Sequence, residues 1–456
     1  MRLPSRVALL EWRWTGLALV VMLALLGLAV RVGGDWDWLV AMGDHVRATG
    51  SVPDFVPFAA ADTSGWHNLP VLSEVLASLL HAVGPRVPVI AHLAAVAVSL
   101  VLLAATARSR GASDVAAAGA LVVVVVADLA SLVLLRAQTY SLVPFALLLA
   151  LVVRQHRSPD RGIWWAVPLV AVWGNLHGGA LLGTCVLGAY LVAGRLRVRP
   201  VETVLVGTAS LLALCANPQL WRTPSYYLAV FDNAAAERSE GLWARPTLAD
   251  PLDVVMLAGI AVLLVAFLRR RRPLWEYVAV AGLCASTASA SRHGVWLAFL
   301  LMVVATAQPA PGTAPAPARA AGVAGVVAGL ALVVAVPITV ARGDDVLGAR
   351  PGTVAAVARV ADSTPGGVVL APAPLSESLA VGGVRLWAGN PLDAFSQADQ
   401  TSLLDFYYGR AGAQAAVEAS DVVVVMEGSA QESVVADDTA FTARDCGAPW
   451  LCYVRG

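Results

Sequence analysis

The sequence predicts an all-α polytopic membrane protein of about eleven transmembrane helices, followed by a small extracytoplasmic α/β domain. Three observations lead there. Hydrophobic residues make up 58% of the 456 and charged residues 14%, and mean hydropathy is +0.72, a balance foreign to soluble globular chains. The apolar residues fall in repeated runs of about twenty, the length a helix needs to cross a bilayer while pairing its backbone groups internally. Arginine clusters close every second run, which assigns sides. The formal net charge is zero, so global charge points to no nucleic-acid partner.

The first span runs from about Trp14 to Val32 behind Arg2, Arg6 and Arg13. A basic start without a small-residue cleavage site predicts a retained helix rather than a removed signal. The loop 33–74 follows, holding Asp35, Asp37, Asp44, Asp54, Asp62 and Glu74 among Trp36, Trp38, Phe55, Phe58 and Trp66. Within it Trp38, Leu39, Met42 and Val46 recur at helical spacing, with the charged residues off that face. This predicts a short amphipathic helix on the membrane surface, stopped by Gly50 and Pro53. Asn68 and Pro70 open the next helix and place Glu74 in its first turn. Acids among aromatics at a lipid–water boundary suit a site for a polar substrate carried on a lipid. A solvated loop anchored by its tryptophans would read the same way.

The second span ends at Arg108 and Arg110, and a third apolar stretch ends near Asp128 to Arg136. The fourth covers Ala137 to Val153 and meets Arg154, Arg157 and Arg161. The fifth ends at Trp173-Gly-Asn-Leu-His-Gly-Gly179, the sixth at Arg195, Arg197 and Arg199, and the seventh at Asn217-Pro218. The loop 217–250 follows. The eighth span meets Arg269 to Arg272, the ninth ends at Ser291-Arg-His-Gly294, and the tenth reaches about Ala307. A Pro/Ala-rich linker, Gln308 to Ala320, leads to the eleventh span, about Ala321 to Ala341. Arginine clusters precede span one and follow spans two, four, six and eight. That side is therefore cytoplasmic, and both large loops and the tail lie outside. The division is 1–341 in the membrane and 342–456 as a soluble domain.

In this orientation Arg136, Asn175, His177, Asn217, Arg292 and His293 all fall at outer ends of spans, level with Asp35. Polar groups near membrane depth are costly and often mark a site. Singly, each has a structural reading: Arg136 as a cap, His177 bonded to a carbonyl, Arg292 and His293 as interface residues. No zinc motif, Walker loop, Rossmann fingerprint or GxSxG elbow occurs. No motif calls for a cofactor, and a divalent cation stays open. A sugar donor outside would have to arrive on a lipid.

In the tail, Thr353 to Asp362 reads as a helix, and Gly367 to Ala371, Asp421 to Met426 and Leu451 to Val454 as strands. Cys446 and Cys452 lie close together outside the cytoplasm, where they should be oxidised to each other. Cys185, Cys215 and Cys284 fall in spans and read as packing residues. No catalytic motif stands out in this segment.

These residues resemble a family. Asp35, Trp38 and Gly43 after the first span, the turn Asp62-Thr-Ser-Gly-Trp66 and the helix start Leu72-Ser-Glu74 are similar to bacterial GT-C-fold integral membrane glycosyltransferases. That class includes polyprenyl-phosphate-sugar mannosyltransferases and aminoarabinose transferases. Arg136-Ala-Gln138 is similar to an Arg-Pro-Gln element, from which Ala137 departs. Trp173 to Gly179 is similar to a Trp-x-Asn-x-His-Gly-Gly element, and Asn217-Pro218 also fits. The resemblance implies an outer-face cavity in the plasma membrane, a sugar on polyprenyl phosphate as donor, and a glycan, lipid or protein acceptor. By position Asp35 matches the general base that the resemblance implies; Arg136, His177 and Arg292 are the candidates for the donor phosphate, since a leaving phosphate needs cationic donors, and Asp37, Glu74, Trp66 and Asn175 are further candidate substrate contacts. If Asp35 and Asp37 are both helical they point to nearly opposite sides, so only one faces a given site, and Asp35 at the membrane edge is the choice. A catalytically silent scaffold of the same fold is the alternative. A transporter is another, but the paired broken helices and internal repeats typical of transporters are not clear here.

Overall fold

The computed structural model describes residues 10–229, 234–307 and 317–456. Arg2, Arg6 and most of the expected linker lie outside them. The chain packs as two compact units, one of Met1–Val30, Val89–Asn217 and Gly241–Gly343, the other of Arg31–Pro88, Pro218–Glu240 and Asp344–Gly456.

The first unit is helical. After α1 (Arg13–Ala29), and after α2 (Gly34–Thr49) and α3 (Val71–Val83) of the other unit, come α4 (Val87–Ser109), α5 (Asp114–Ala127) and α6 (Thr139–Arg157). Then follow α7 (Ala166–Gly174), α8 (Ala180–Tyr190), α9 (Pro200–Leu214), α10 (Pro251–Leu268), α11 (Leu274–Ser289), α12 (Gly294–Ala305) and α13 (Pro317–Ala341). Local chemistry sets several starts: the Ser113 side chain caps α5 and Asp250 caps α10, and proline opens α9 and α10.

Among the described residues four helices are long and apolar enough to cross a membrane by length and composition: α4, α6, α10 and the Gly322–Ala341 part of α13. Other apolar helices are shorter, among them α1, α5 and α9. The expected fifth span is a 3-10 turn, Arg161–Trp165, running into a nine-residue α7, which at 1.5 Å per residue is too short to cross alone. Tryptophans 173 and 296 pack around Phe145, with ring centroids 6.2 and 5.2 Å away. Many outward residues of α9 and α10, such as Val204, Leu212, Val262 and Leu268, are exposed. So is Cys185, which reads from the sequence as a packing residue.

In the second unit, α2 and α3 cross at Gly43. A Cβ there would lie 2.0 Å from the Glu74 carbonyl oxygen, so only glycine allows this approach. Asp44 and Arg47 of α2 both reach the Ser78 hydroxyl of α3. Gly50 ends α2 with a left-handed φ of 70°, where the sequence places the stop.

The tail of this unit carries α14 (Pro351–Asp362), α15 (Leu375–Val381) and α16 (Gln397–Tyr407), with strands β1 (Val369–Leu370), β2 (Val422–Met426), β3 (Phe441–Asp445) and β4 (Trp450–Arg455). The sheet order is β1-β2-β4-β3, parallel between β1 and β2 and antiparallel elsewhere. The valine run is fully apolar because both faces are covered. Val422 and Val424 face Val357, Leu375 and Leu379, while Val423 and Val425 face Leu403 and Phe406. The strand β3 was not expected: Thr442 to Asp445 are exposed edge residues without an apolar pattern. Cys446 and Cys452 form a disulfide with Cα atoms 5.8 Å apart. Closing so short a loop contributes about 2–3 kcal/mol in the chain-entropy picture.

Candidate functional site

In the second unit two of the candidates, Asp35 and Asp37, stand at the start of α2. The sequence Gly34-Asp-Trp-Asp-Trp38 buries both indoles and leaves both carboxylates half-buried. Asp35 is not helical: its φ of −93° and ψ of 16° mark a kink. The expected opposition of Asp35 and Asp37 across a regular helix therefore does not apply, since the 100° step per residue fails at that position. Asp37 is not a free turn residue either. It accepts a hydrogen bond of 2.6 Å from the Ser378 hydroxyl, and burial raises its pKa against that bond and the charge of His81.

Beside it lies a residue that sequence reasoning passed over. Glu377, on α15, is buried. Its carboxyl accepts from Ser376 Oγ at 2.8 Å and from Asn390 Nδ2 at 2.7 Å. Asn390 also reaches the Gly34 carbonyl, at 3.4 Å. Burial pushes Glu377 up to about 7, and the charge of Asp37 adds to the rise. The only signal was an acid inside a short apolar stretch, Leu375 to Val381, where an unpaired carboxylate is rare.

Glu74 stands in the first turn of α3 as expected, but fully buried. One carboxyl oxygen accepts from Asn68 Nδ2 at 3.0 Å. Among the described residues the other has no partner, and neither has the Asn68 side-chain oxygen. Burial raises Glu74 to about 7, opposed by the Asn68 bond. Trp66 is committed to packing: its indole N–H donates to Asp393 at 3.2 Å, and its ring meets Trp38 edge-on at 6.3 Å. Asp62 closes its own turn by accepting from the Ser64 N–H, which lowers its pKa.

The first unit holds the cationic candidates. Arg136 is buried just before α6 and donates to Gln138 Oε1 at 2.9 Å, while Gln138 Nε2 donates to the Arg292 carbonyl at 3.2 Å. The Arg292 guanidinium lies over the Trp243 ring at 3.6 Å. His177 links α7 and α8. Its Nδ1 lies 3.0 Å from the Gly179 N–H and 2.8 Å from Ser141 Oγ, which in turn accepts from the Trp173 indole at 2.7 Å. A backbone N–H can only donate, so Nδ1 is an acceptor and the neutral ring carries its proton on Nε2. The charges of Arg136, Arg292 and His293 are close enough to act on this ring. Asn175 is different: its amide donates to the carbonyls of Ala171 at 2.8 Å and Ala216 at 2.6 Å, pinning the end of α7. His92 is an unforeseen buried histidine with a structural place, between Thr139 Oγ1 and the Leu132 carbonyl.

The candidates divide between the units: Asp35, Asp37, Glu74 and Trp66 belong to one, and Arg136, Asn175, His177 and Arg292 to the other. Among the described residues no group of three or more His, Cys, Asp or Glu is placed to hold a metal ion.

No family model and no curated protein matches the chain. Solved structures do. The chain is similar to the oligosaccharyltransferase of Archaeoglobus fulgidus, solved tethered with an acceptor peptide containing the NVT sequon, at 12% identity. The likeness covers 91% of this chain and 69% of that one, with a TM-score of 0.54. ArnT from Cupriavidus metallidurans, bound to undecaprenyl phosphate, covers 97% of both chains at 12% identity, with a TM-score of 0.49. At such identity the first likeness defines a fold: the chain has the GT-C fold of membrane glycosyltransferases.

Proposed function

We propose that the chain is a cell-envelope glycosyltransferase, moving a sugar from a polyprenyl-phosphate donor to an acceptor hydroxyl at the extracytoplasmic face of a bacterial plasma membrane. The observation that carries this reading is the donor set of Arg136, His177 and Arg292. Two guanidiniums and an imidazole with Nδ1 already satisfied are what a leaving phosphate requires, because charge-assisted N–H donors stabilise it most as its charge develops. The likeness in fold to an oligosaccharyltransferase supports sugar transfer as the chemistry.

In this proposal Asp35 is the general base on the acceptor hydroxyl. Its place in a kink lets a side chain be aimed apart from its helical neighbours. Glu74, with one carboxyl oxygen unspent, is a substrate contact, and Asp37 supports the start of α2 from the Ser378 side. The Trp66 indole N–H and the Asn175 amide nitrogen are taken by protein partners, so packing roles suit them better. The proposal includes eleven crossings, a cytoplasmic N-terminus, and residues 342–456 outside. A catalytically silent scaffold is the second reading. It is favoured by Glu74 and Glu377, which burial holds near neutrality. Purified protein in lipid, offered radiolabelled polyprenyl-phosphate sugar, separates the two: an enzyme binds donor and transfers sugar, and a scaffold fails at transfer.

A further inference from the structure

Where α6 stops and α9 begins, the first unit opens a surface cavity of about 550 Å³. Its walls are Arg161 and Trp164 of the 3-10 turn, and Arg199, Val201, Glu202 and Leu205 around the start of α9. One wall is charged and the other apolar.

The charges do not balance. The Glu202 carboxylate accepts from Arg195 at 2.8 Å and from Arg199 at 3.2 Å. Behind it, Arg195 is buried and holds Gln155 and the Asp160 carbonyl, each at 2.9 Å. The nearby Asp160 side chain is taken by Arg154 at 2.7 Å, and its pKa falls to about 2 through bonds from Gln155, Arg154 and Gly162. Arg161 is exposed and, among the described residues, has neither an ion pair nor a hydrogen bond. Arg161, Arg195 and Arg199 therefore face one carboxylate. Elsewhere in this unit Arg108 is paired with Asp114 and Arg110 with Glu276.

The rest of the cavity matches a bilayer boundary. Trp164 and Trp165 are exposed, as tryptophans are at the headgroup level of membrane proteins. Val201 and Leu205 on the wall continue into Val204, Leu211 and Leu212 along an exposed apolar face of α9. No side chain caps the start of α9, which leaves N–H groups and the positive end of the helix dipole toward an anion.

We infer that this cavity seats an anionic phospholipid, its phosphate on Arg161 and Arg199 and its chain against Val201 and Leu205. Basic pockets between helices recognise acidic headgroups in this way. A choline lipid brings its own cation to the unbalanced arginines and is disfavoured. The inference rests on the chain lying in a bilayer and is independent of the glycosyltransferase reading.

The test is native mass spectrometry of the full-length protein in detergent, titrated with phosphatidylglycerol, phosphatidylcholine or inorganic phosphate. The expected result is selective retention of phosphatidylglycerol. Retention should be about thirtyfold weaker in the double variant Arg161→Gln/Arg199→Gln, at roughly fivefold per arginine. It should be largely kept in Arg161→Lys/Arg199→Lys and unchanged in Arg350→Gln, an exposed arginine of the other unit. Leu205→Glu leaves both arginines in place but puts a carboxylate on the apolar wall, so it should also lose the lipid, which keeps the test sound if the double variant fails to fold. Equal retention of phosphatidylcholine, unchanged binding in a folded variant, or displacement by inorganic phosphate at equal concentration would each overturn the assignment.

Discussion

Asp35 and Glu377 show how far single residues could be read. Asp35 stood out because it follows the first apolar run, but its kinked backbone was invisible in the sequence. Asp35→Asn keeps shape and removes the proton acceptor, so transfer should fall about 10²–10⁴-fold with donor binding retained. Asp37→Asn still offers Ser378 an oxygen and should cost far less, and the exposed Asp54 serves as a control. Full transfer by Asp35→Asn removes the mechanism; equal loss in all three variants assigns the charges to structure. Glu377 gives a pH prediction. Its folded pKa, about 7, lies above its ordinary 4.5 because burial penalises the charged form. Between these values the folded state keeps a proton that the unfolded chain has released. Its stabilising contribution is therefore complete below about 4.5 and is lost as pH rises through about 7. Glu74, with the same two values, acts in the same direction. Between pH 5 and 8 apparent melting temperature should fall more steeply, or rise less, in the wild type than in Glu377→Gln or Glu74→Gln, each of which removes one such contribution. A slope left unchanged by both substitutions contradicts the assignment.

At the scale of elements, α2 and α3 were legible because their signals are local: apolar spacing from Trp38 to Val46, the stop at Gly50, the proline start at Pro70. Their crossing was not. Gly43 reads as an ordinary helical glycine until the Glu74 carbonyl is seen 2.0 Å from where its Cβ would be. Gly43→Ala should destabilise by about 1–3 kcal/mol, as overpacking does, and expose the α2–α3 pair to protease. Unchanged melting and digestion would show that the helices separate without cost. The strands β1, β2 and β4 could be anticipated from apolar runs. The strand β3 could not, since Thr442 to Asp445 owe their conformation to pairing with β4.

For the whole molecule, the arginine alternation predicts that residues 342–456 lie outside. A cysteine introduced at exposed Ser363 should react with an impermeant reagent in intact cells. Labelling only after lysis would reverse the orientation and remove the outer site. The α/β elements of that segment were legible, but its packing into one unit with residues 31–88 and 218–240 was not. Long-range contacts such as Trp66 with Asp393 and Asp37 with Ser378 join residues hundreds of positions apart, and no local pattern encodes them.

By itself the sequence determined that the chain is mostly helical and where most of its apolar helices lie, because hydropathy and helix punctuation act over a few turns of chain. It also marked the arginines, acids and histidines that the proposed function uses. Tertiary structure alone decided how those groups are spent. It turned Asn175 to backbone carbonyls and Trp66 to Asp393, held the proton of the neutral His177 ring on Nε2, and paired Asp37 with a serine on α15. Hydrogen-bond partners and burial are set by what folding brings within about 3 Å, and that distance is a property of the packed chain rather than of any stretch of it.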